Sequence, residues 1–497
     1  MMKPENRSYS SVASSFIMSF IFLASLLVLP NSGCNRKSIG DTFQIGKLKY
    51  EVITQDRASK TGTVSVGAAS IFKISGDIEI PASVTDRGII YSVNFIRNGA
   101  FAACDRLTGI VIPDSVTSAK EFAFMGCNGL TNIIILDSVT SIGEYAFYDC
   151  SNLENIEIPD SVTKIGFQAF EECNKLPPIL FSKGKKVLAH YSPSNRETSY
   201  TIPNTVTFIT NGAFEKCSTL TNIVIPDSVT SIGDYAFFDC SSLTNIIIPN
   251  SVTSIGPGAF YDCSSLTNIT IPDSVTSIGE EAFSECSALE NVTIGKGVTV
   301  IGDGAFYGCV KLTGIVIPDS ATSIGSGAFA GCSSLESVTM GKNVTAIGSR
   351  AFAECVKLVS IIIPDSVNEI EVLAFAGCSS LENATIGKSV TSIALGVFSE
   401  CSSLTNIIIP NNVTSIGEGA FLKCSSLTSI TIPDSVTSIG YVAFDLCSKL
   451  TAVYFKGNAP KLPGGSAFSD PSVIYYKPGT TGWTNPWDGR PTKEWVE

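Results

Sequence analysis

The sequence predicts an α/β solenoid, a stack of short units that each supply a strand and a short helical or 3₁₀ turn. Three observations lead there. Fifteen cysteines keep a 23-residue beat, in one run from Cys104 to Cys173 and a second from Cys217 to Cys447. Each has a phenylalanine three residues before it, from Phe101 to Phe170 and from Phe214 to Phe444. The apolar residues between them fall at the same places in nearly every period. A fixed period of this size marks a repeat array, and it overrides the several globular domains that 497 residues would otherwise suggest. A group that recurs once per unit is a building block before it is a chemical group.

One unit reads Leu243-Thr-Asn-Ile246-Ile-Ile248-Pro249-Asn-Ser-Val252-Thr-Ser-Ile255-Gly-Pro-Gly-Ala259-Phe260-Tyr-Asp-Cys263-Ser-Ser. Leucine and two isoleucines occupy positions 1, 4 and 6. The stretch from position 3 to position 6 is β-rich and alternates, which predicts a short strand with Ile246 and Ile248 inward. Pro249 ends it by removing a ladder donor, and Pro-Asn-Ser turns the chain. Val252 and Ile255 predict a second short extended piece. Gly-x-x-Ala-Phe-x-x-Cys has spacing for about one turn of 3₁₀ or α-helix. A single unit cannot close a core, whereas stacked units bury these positions as continuous ladders.

The whole pattern resembles the BspA-like leucine-rich repeat family, whose 23-residue form carries the Ala-Phe-x-x-Cys signature. The resemblance covers residues 76–460. It implies a right-handed, curved leucine-rich-repeat superhelix with a parallel sheet on the concave side. It also implies a bacterial protein that is surface-exposed or periplasmic; some such proteins are adhesins.

The beat breaks once. Cys173 and Cys217 are 44 residues apart, two short of two repeats. The degenerate unit, about 174–200, lacks the Ala-Phe-x-x-Cys part and reads as a hairpin with a Lys-Gly turn. Before the array, residues 34–75 are a linker and N-terminal cap, in which Phe43 to Val52 alternates like a strand. The first unit carries an insertion, Thr85-Asp-Arg-Gly-Ile-Ile-Tyr-Ser-Val93. After the array, residues 461–497 form a C-terminal cap holding all three tryptophans, Trp483, Trp487 and Trp495, with a ligand site as the alternative reading.

Residues 1–33 are a signal peptide of lipoprotein type, with a basic start at Lys3 and Arg7 and an apolar stretch from Phe16 to Leu29. That stretch is short for a membrane span. Ser32-Gly33-Cys34 resembles the end of a bacterial lipobox, which implies lipidation of Cys34; Asn31 departs from the usual aliphatic residue. The expected location is outside the cytoplasm, lipid-anchored to the bacterial outer membrane or cell surface, with the anchor as the only membrane contact. Plain secretion and an uncleaved anchor are the alternatives. Hydrophobic content of 44% against 16% charged residues argues against disorder. A formal net charge of −12 argues against nucleic acid or an anionic membrane surface as partner.

Each cysteine sits between apolar residues, where a small hydrophobe with a weak donor suffices. Parallel Cβ vectors make poor disulfides, and a line of thiols gives no convergent zinc site. Buried free thiols are the expectation. His190, the only histidine, lies in the degenerate unit and reads as solvent-facing or capping. Gly387-Lys388-Ser389 copies the end of a phosphate loop, but Glu382 stands where the first glycine must be. Aspartate or asparagine after the strand suits Asx turns better than calcium. From Asp273 onward the charge at this position alternates: Asp273, Lys296, Asp319, Lys342, Asp365, Lys388. This makes the array partly a 46-residue double repeat in which opposite charges stack and set register.

No catalytic constellation, cofactor motif or metal motif emerges, so the expectation is a non-enzymatic protein without cofactor. The outward strand positions offer a surface. Asn245, Asn268, Thr270, Asn291, Thr293, Val316, Thr339, Ile362, Thr385 and Asn406 are its proposed binding residues. That surface is nearly uncharged and its central part has no aromatics, which favours a protein or peptide ligand over a glycan. The reading is a monomeric cell-surface binding or adhesion module. The alternative is an envelope scaffold that associates with itself.

Overall fold

The computed structural model describes residues 38–56, 58–70, 74–468 and 472–495. Cys34 and the signal segment lie outside the described residues. The array is a parallel-strand solenoid. In one ladder Asn222–Val224 pairs with Asn245–Ile247, residue against equivalent residue 23 positions on. A second ladder joins the two-residue strands Ser231–Ile232, Ser254–Ile255 and their successors. This is the expected second extended piece, and it forms a ten-stranded sheet ending at Glu369–Ile370.

Because the register equals the repeat, like packs on like. Leu243, Ile246, Ile248, Val252, Ile255, Ala259, Phe260 and Cys263 are all buried. The phenylalanine rings from Phe237 to Phe468 stack nearly face to face, with centroids 5.0–5.7 Å apart and planes within 10°.

The third side of the unit corrects the helical expectation, and with it the α/β class. Among the described residues every regular element is a strand. In the Gly-x-x-Ala-Phe-x-x-Cys segment, left-handed residues interrupt the chain. Tyr235 (φ 54°) and Asp239 (φ 52°) do so in one unit, and a left-handed residue precedes each of the fifteen array cysteines. A helix requires an unbroken run of negative φ. The hydrogen bonds divide accordingly. The N–H groups of Tyr261 and Cys263 donate within the unit, to the carbonyls of Gly258 and Phe260, at 3.0 and 3.2 Å. Those of Gly258, Phe260 and Asp262 cross to Glu280, Ala282 and Ser284 of the next unit, at 2.7–2.9 Å. The turn side is therefore a third inter-unit ladder.

The N-terminal strands Thr42–Ile45, Leu48–Asp56 and Thr61–Ala68 form an antiparallel meander. Its last strand then pairs in parallel with Ile89–Ile96 and so joins the second ladder. At the other end Ala452–Phe455, Val473–Tyr476 and Thr492–Glu494 extend the first ladder. Trp483 and Trp487 lie against Phe455 at 4.9 and 5.5 Å.

The degenerate unit is an antiparallel hairpin of Ile179–Phe181 and Val187–Tyr191, closed by a Ser182–Lys185 turn. Two core clusters meet there, one running from Leu48 to Ala189 and the other from Leu188 to Trp487. The ring stack restarts with Tyr191, 5.2 Å from Phe214. With no turn segment of its own, the unit lets the segments before and after it touch. Gly212 (φ 64°) carries no side chain, and Phe167 reaches across to Tyr235 at 5.1 Å.

Candidate functional site

Alternation alone decides what the first ladder shows to solvent. Ile246 and its equivalents point inward, so positions 3 and 5 point out. All ten residues expected to form the binding surface lie on these strands and are exposed. The most exposed apolar residues of these strands are Ile247 (73%), Ile362 and Ile408 (69% each) and Val316 (62%), of which Ile362 and Val316 are among the ten. From Thr293 to Thr431 position 5 alternates between threonine and an aliphatic residue: Thr293, Val316, Thr339, Ile362, Thr385, Ile408, Thr431. Val316 pairs with Thr339, and Thr385 lies between Ile362 and Ile408. Between Asn222 and Thr431 neither position carries a charge. Asn291 Nδ2 donates to Asn268 Oδ1 at 2.8 Å, so the amides also bond along the ladder.

Charges flank this neutral stripe. Glu290, Glu336 and Glu382 lie on the entry side, one every second unit. On the exit side the double repeat appears as geometry: the N–H groups of Lys296, Lys342 and Lys388 donate to Oδ1 of Asp273, Asp319 and Asp365 at 2.7–3.0 Å. Lys342 and Lys388 also pair with Asp319 and Asp365 through their ammonium groups, at 2.7 and 3.8 Å. Hydrogen bonds from the Lys342 side chain and backbone lower the Asp319 pKa. At the C-terminal end the stripe meets aromatics. Thr431 pairs with Tyr454 and Tyr454 with Tyr475, whose rings are 5.0 Å apart, and Trp495 lies 5.0 Å from Tyr454.

All fifteen array cysteines are buried free thiols. The structure gives them a specific donor role. Cys263 Sγ donates to the Phe237 carbonyl at 3.2 Å and Cys309 Sγ to that of Phe283 at 3.2 Å, each reaching back 26 residues. Burial pushes Cys332 and Cys378 up to about 12, far from a reactive thiolate. Among the described residues, no group of three or more His, Cys, Asp and Glu could hold a metal. His190 departs from expectation. It is half-buried in the hairpin strand opposite Leu180, and burial draws its pKa down to about 4.

The seam at the degenerate unit holds a cluster that sequence reasoning missed. Lys216 Nζ lies 3.1 Å from Glu215 Oε1 and 3.8 Å from Glu171 Oε1. Gln168 Nε2 also donates to Glu215 Oε1. Glu215 is only 3% exposed, and its Oε2 is buried with no hydrogen-bond partner. Burial, reinforced by the charge of Glu215, raises Glu171 to about 7. Burial raises Glu215 as well. Burial opposes the Lys216 charge, but Glu215 and Glu171 together hold its pKa above the usual lysine value. A signal was present: the residue after the phenylalanine is acidic at Glu171, Glu215 and Asp445, and the first two flank the break.

Two open depressions, about 400 and 510 Å³, lie on the turn side near Glu280 and Asp303 rather than on the strand face. Both are lined by the recurring Gly-x-x row.

Comparison with known proteins adds the following. A family model described as a BspA type leucine rich repeat region matches in six copies, over residues 94–196, 188–313, 299–403 and 369–475. A leucine-rich repeat protein from Bacteroides ovatus is 26% identical, over 88% of this chain and 94% of that one, with a TM-score of 0.37. A leucine rich cell surface protein from Faecalibacterium prausnitzii is 27% identical, over 84% and 95%, with a TM-score of 0.36. A leucine-rich repeat protein from Eubacterium ventriosum is 24% identical, over 76% and 93%, with a TM-score of 0.44. Scores at this level do not establish a shared overall shape. No curated protein matches the chain.

Proposed function

The chain belongs to the BspA-type leucine-rich repeat family, and on that premise we propose that it is a non-enzymatic surface protein. In this reading it binds a protein or peptide through the outward residues of its first ladder, taken as the concave side. The observation that carries the reading is the uncharged stripe from Asn222 to Thr431. Its ten strands span roughly 45 Å at the usual strand spacing. The core ladders are nearly invariant along that length, while the outward residues change from unit to unit. Fold alone does not require Ile247, Ile362 and Ile408 to stand 69–73% exposed in register. Scattered exposed aliphatics are ordinary, but an uncharged row of aliphatic residues interleaved with threonines and bordered by charge resembles the centre and rim of an interface.

The same reading places the protein outside the cytoplasm, held by a lipid on Cys34. Among the described residues, no helix is long and apolar enough to cross a membrane.

The test is a two-sided mutation set on fragment 35–497, screened against host and bacterial surface proteins. Thr293→Arg with Thr339→Arg puts two charges into the neutral stripe without touching the core. Binding should weaken at least tenfold, about 1.4 kcal/mol, with unfolding unchanged. Ser326→Arg on the turn side should do less. If the turn-side change abolishes binding and the strand-face pair does not, the assignment of the face is wrong.

A further inference from the structure

The seam combines three features found together nowhere else in the described residues. The ring stack and the hydrophobic core are interrupted there. The turn segments on either side meet through side chains rather than through the usual backbone ladder. Three ionisable side chains stand at that contact: Glu215 is buried, Glu171 nearly so, and Lys216 half-buried.

Elsewhere adjoining turn segments share N–H bonds, as Phe214 does with Ala236 and Phe237 with Ala259. Between 166–173 and 210–217, in their place, stand the Gln168–Glu215 bond and the Lys216–Glu171 contact, while Phe167 reaches past 210–217 to Tyr235. Two carboxylates and one ammonium leave one excess negative charge. Glu215 Oε2 meets no donor. A buried charge without a partner opposes the contact that buries it.

The groups around the pair do not supply the missing cation. From the preceding turn come Tyr145 and Tyr148, whose hydroxyls burial pushes upward and which stay neutral. Glu172 faces Glu171, and Asp239 faces Glu215; both add negative charge. Glu144 and Asp234 face each other farther along the same ridge, both raised by burial. Cys217, beneath the pair, is a buried thiol. Among the described residues Lys216 is the only cation paired with either glutamate.

We propose that the seam is a proton-operated joint: one proton held on the Glu171–Glu215 pair keeps the two halves of the solenoid closed on each other, and its loss lets them part. The direction follows from linkage. An acid whose pKa is raised in the closed state binds more protons there than in the open state. Closure is then favoured at low pH and weakens as pH rises through the closed-state value. With about 7 for Glu171 in the closed seam and the ordinary 4.5 once opened, the opening equilibrium changes roughly thirtyfold between about pH 5.5 and 8.5.

The joint would place an angle between the short N-terminal stack and the long C-terminal one under the control of the medium. The strand face itself contains none of these groups.

The test is amide hydrogen exchange on the full chain, corrected for intrinsic rates, at pH 5.5 and 8.5. The readout is protection in peptides covering 166–173 and 208–217. Wild type is compared with Glu171→Gln, which keeps the shape and cannot ionise. His190 contributes equally to both proteins, so the wild-type to variant ratio isolates the acid pair. That ratio should fall at least tenfold between the two pH values, while peptides from the middle of the long stack, such as 329–352, stay level. A ratio that is constant or rises overturns the proposal. Should Glu171→Gln fail to fold, Glu215→Gln takes its place with the same expectation, since either change removes the excess charge.

Discussion

Replacing Glu354 by glycine should make this protein more stable. Glu354 is exposed, has a φ of 59°, and stands immediately before Cys355. Its equivalents one unit back and one unit on are Gly331 (φ 72°) and Gly377 (φ 75°). A left-handed conformation costs a residue with a Cβ roughly 1–2 kcal/mol. Glycine escapes that cost but loses about 0.5–1 kcal/mol through the larger freedom of its unfolded chain. The net expectation for Glu354→Gly is a gain of about 0.5–1 kcal/mol, read as a rise in the urea midpoint at unchanged m-value. The reverse change, Gly377→Ala, should cost about 1 kcal/mol by the same argument. Its new Cβ would lie 3.5 Å from Glu354 Cγ, an ordinary contact, so the penalty is conformational rather than steric. A helical segment demands the opposite signs, since glycine in a helix costs about 1 kcal/mol relative to alanine. Destabilisation by Glu354→Gly together with stabilisation by Gly377→Ala would refute the left-handed turn.

Four further outcomes are expected. Cys309→Asp should destabilise by several kcal/mol, on the order of 3 or more, because a carboxylate would enter a dry core beside the Phe283 carbonyl. In mass spectrometry all fifteen array thiols should alkylate after denaturation without reductant, and almost none before it; disulfides spaced by 23 residues would contradict the ladder. For His190, the unfolded chain takes up a proton near pH 6.5 that the folded chain refuses until about 4. Stability is then complete above about pH 6.5 and declines as pH falls toward 4, by on the order of 1–3 kcal/mol after allowance for partial solvent access. A His190→Gln variant should not show that acid-side decline. Cys34→Ala should release the protein from the membrane fraction; continued binding at full length would indicate an uncleaved span.

Much of this architecture was readable from the residues because it is written in side-chain polarity. Leu243, Ile246, Ile248, Val252 and Ile255 recur with the period, and period alone assigns them to strands and ladders. Parity did the rest for the outer face, where Thr293 and Ile362 lie where alternation put them. The turn segment was misread because the sign of φ leaves no trace in polarity. Glu354 and Gly377 share a conformation but not a character. The glycines at 126, 308, 331 and 377 were the only hint. The seam was hidden for another reason. Glu171 and Glu215 are 44 positions apart, and only the missing turn segment between them brings both to Lys216. His190, with no partner visible in the sequence, reads as solvent-facing or capping; its strand is instead held between Leu180 and the array.

The alternation of Asp273, Lys296, Asp319, Lys342, Asp365 and Lys388 also limits how such a chain can change its length. Excising one 23-residue unit from this stretch would set Asp beside Asp or Lys beside Lys on the rim. Excising 46 residues restores every neighbour. Within this stretch, the Asp–Lys pairs survive only when units are lost or gained two at a time. A gene built this way can shorten or extend its product by two turns at a time while each surviving joint remains one the protein already contains.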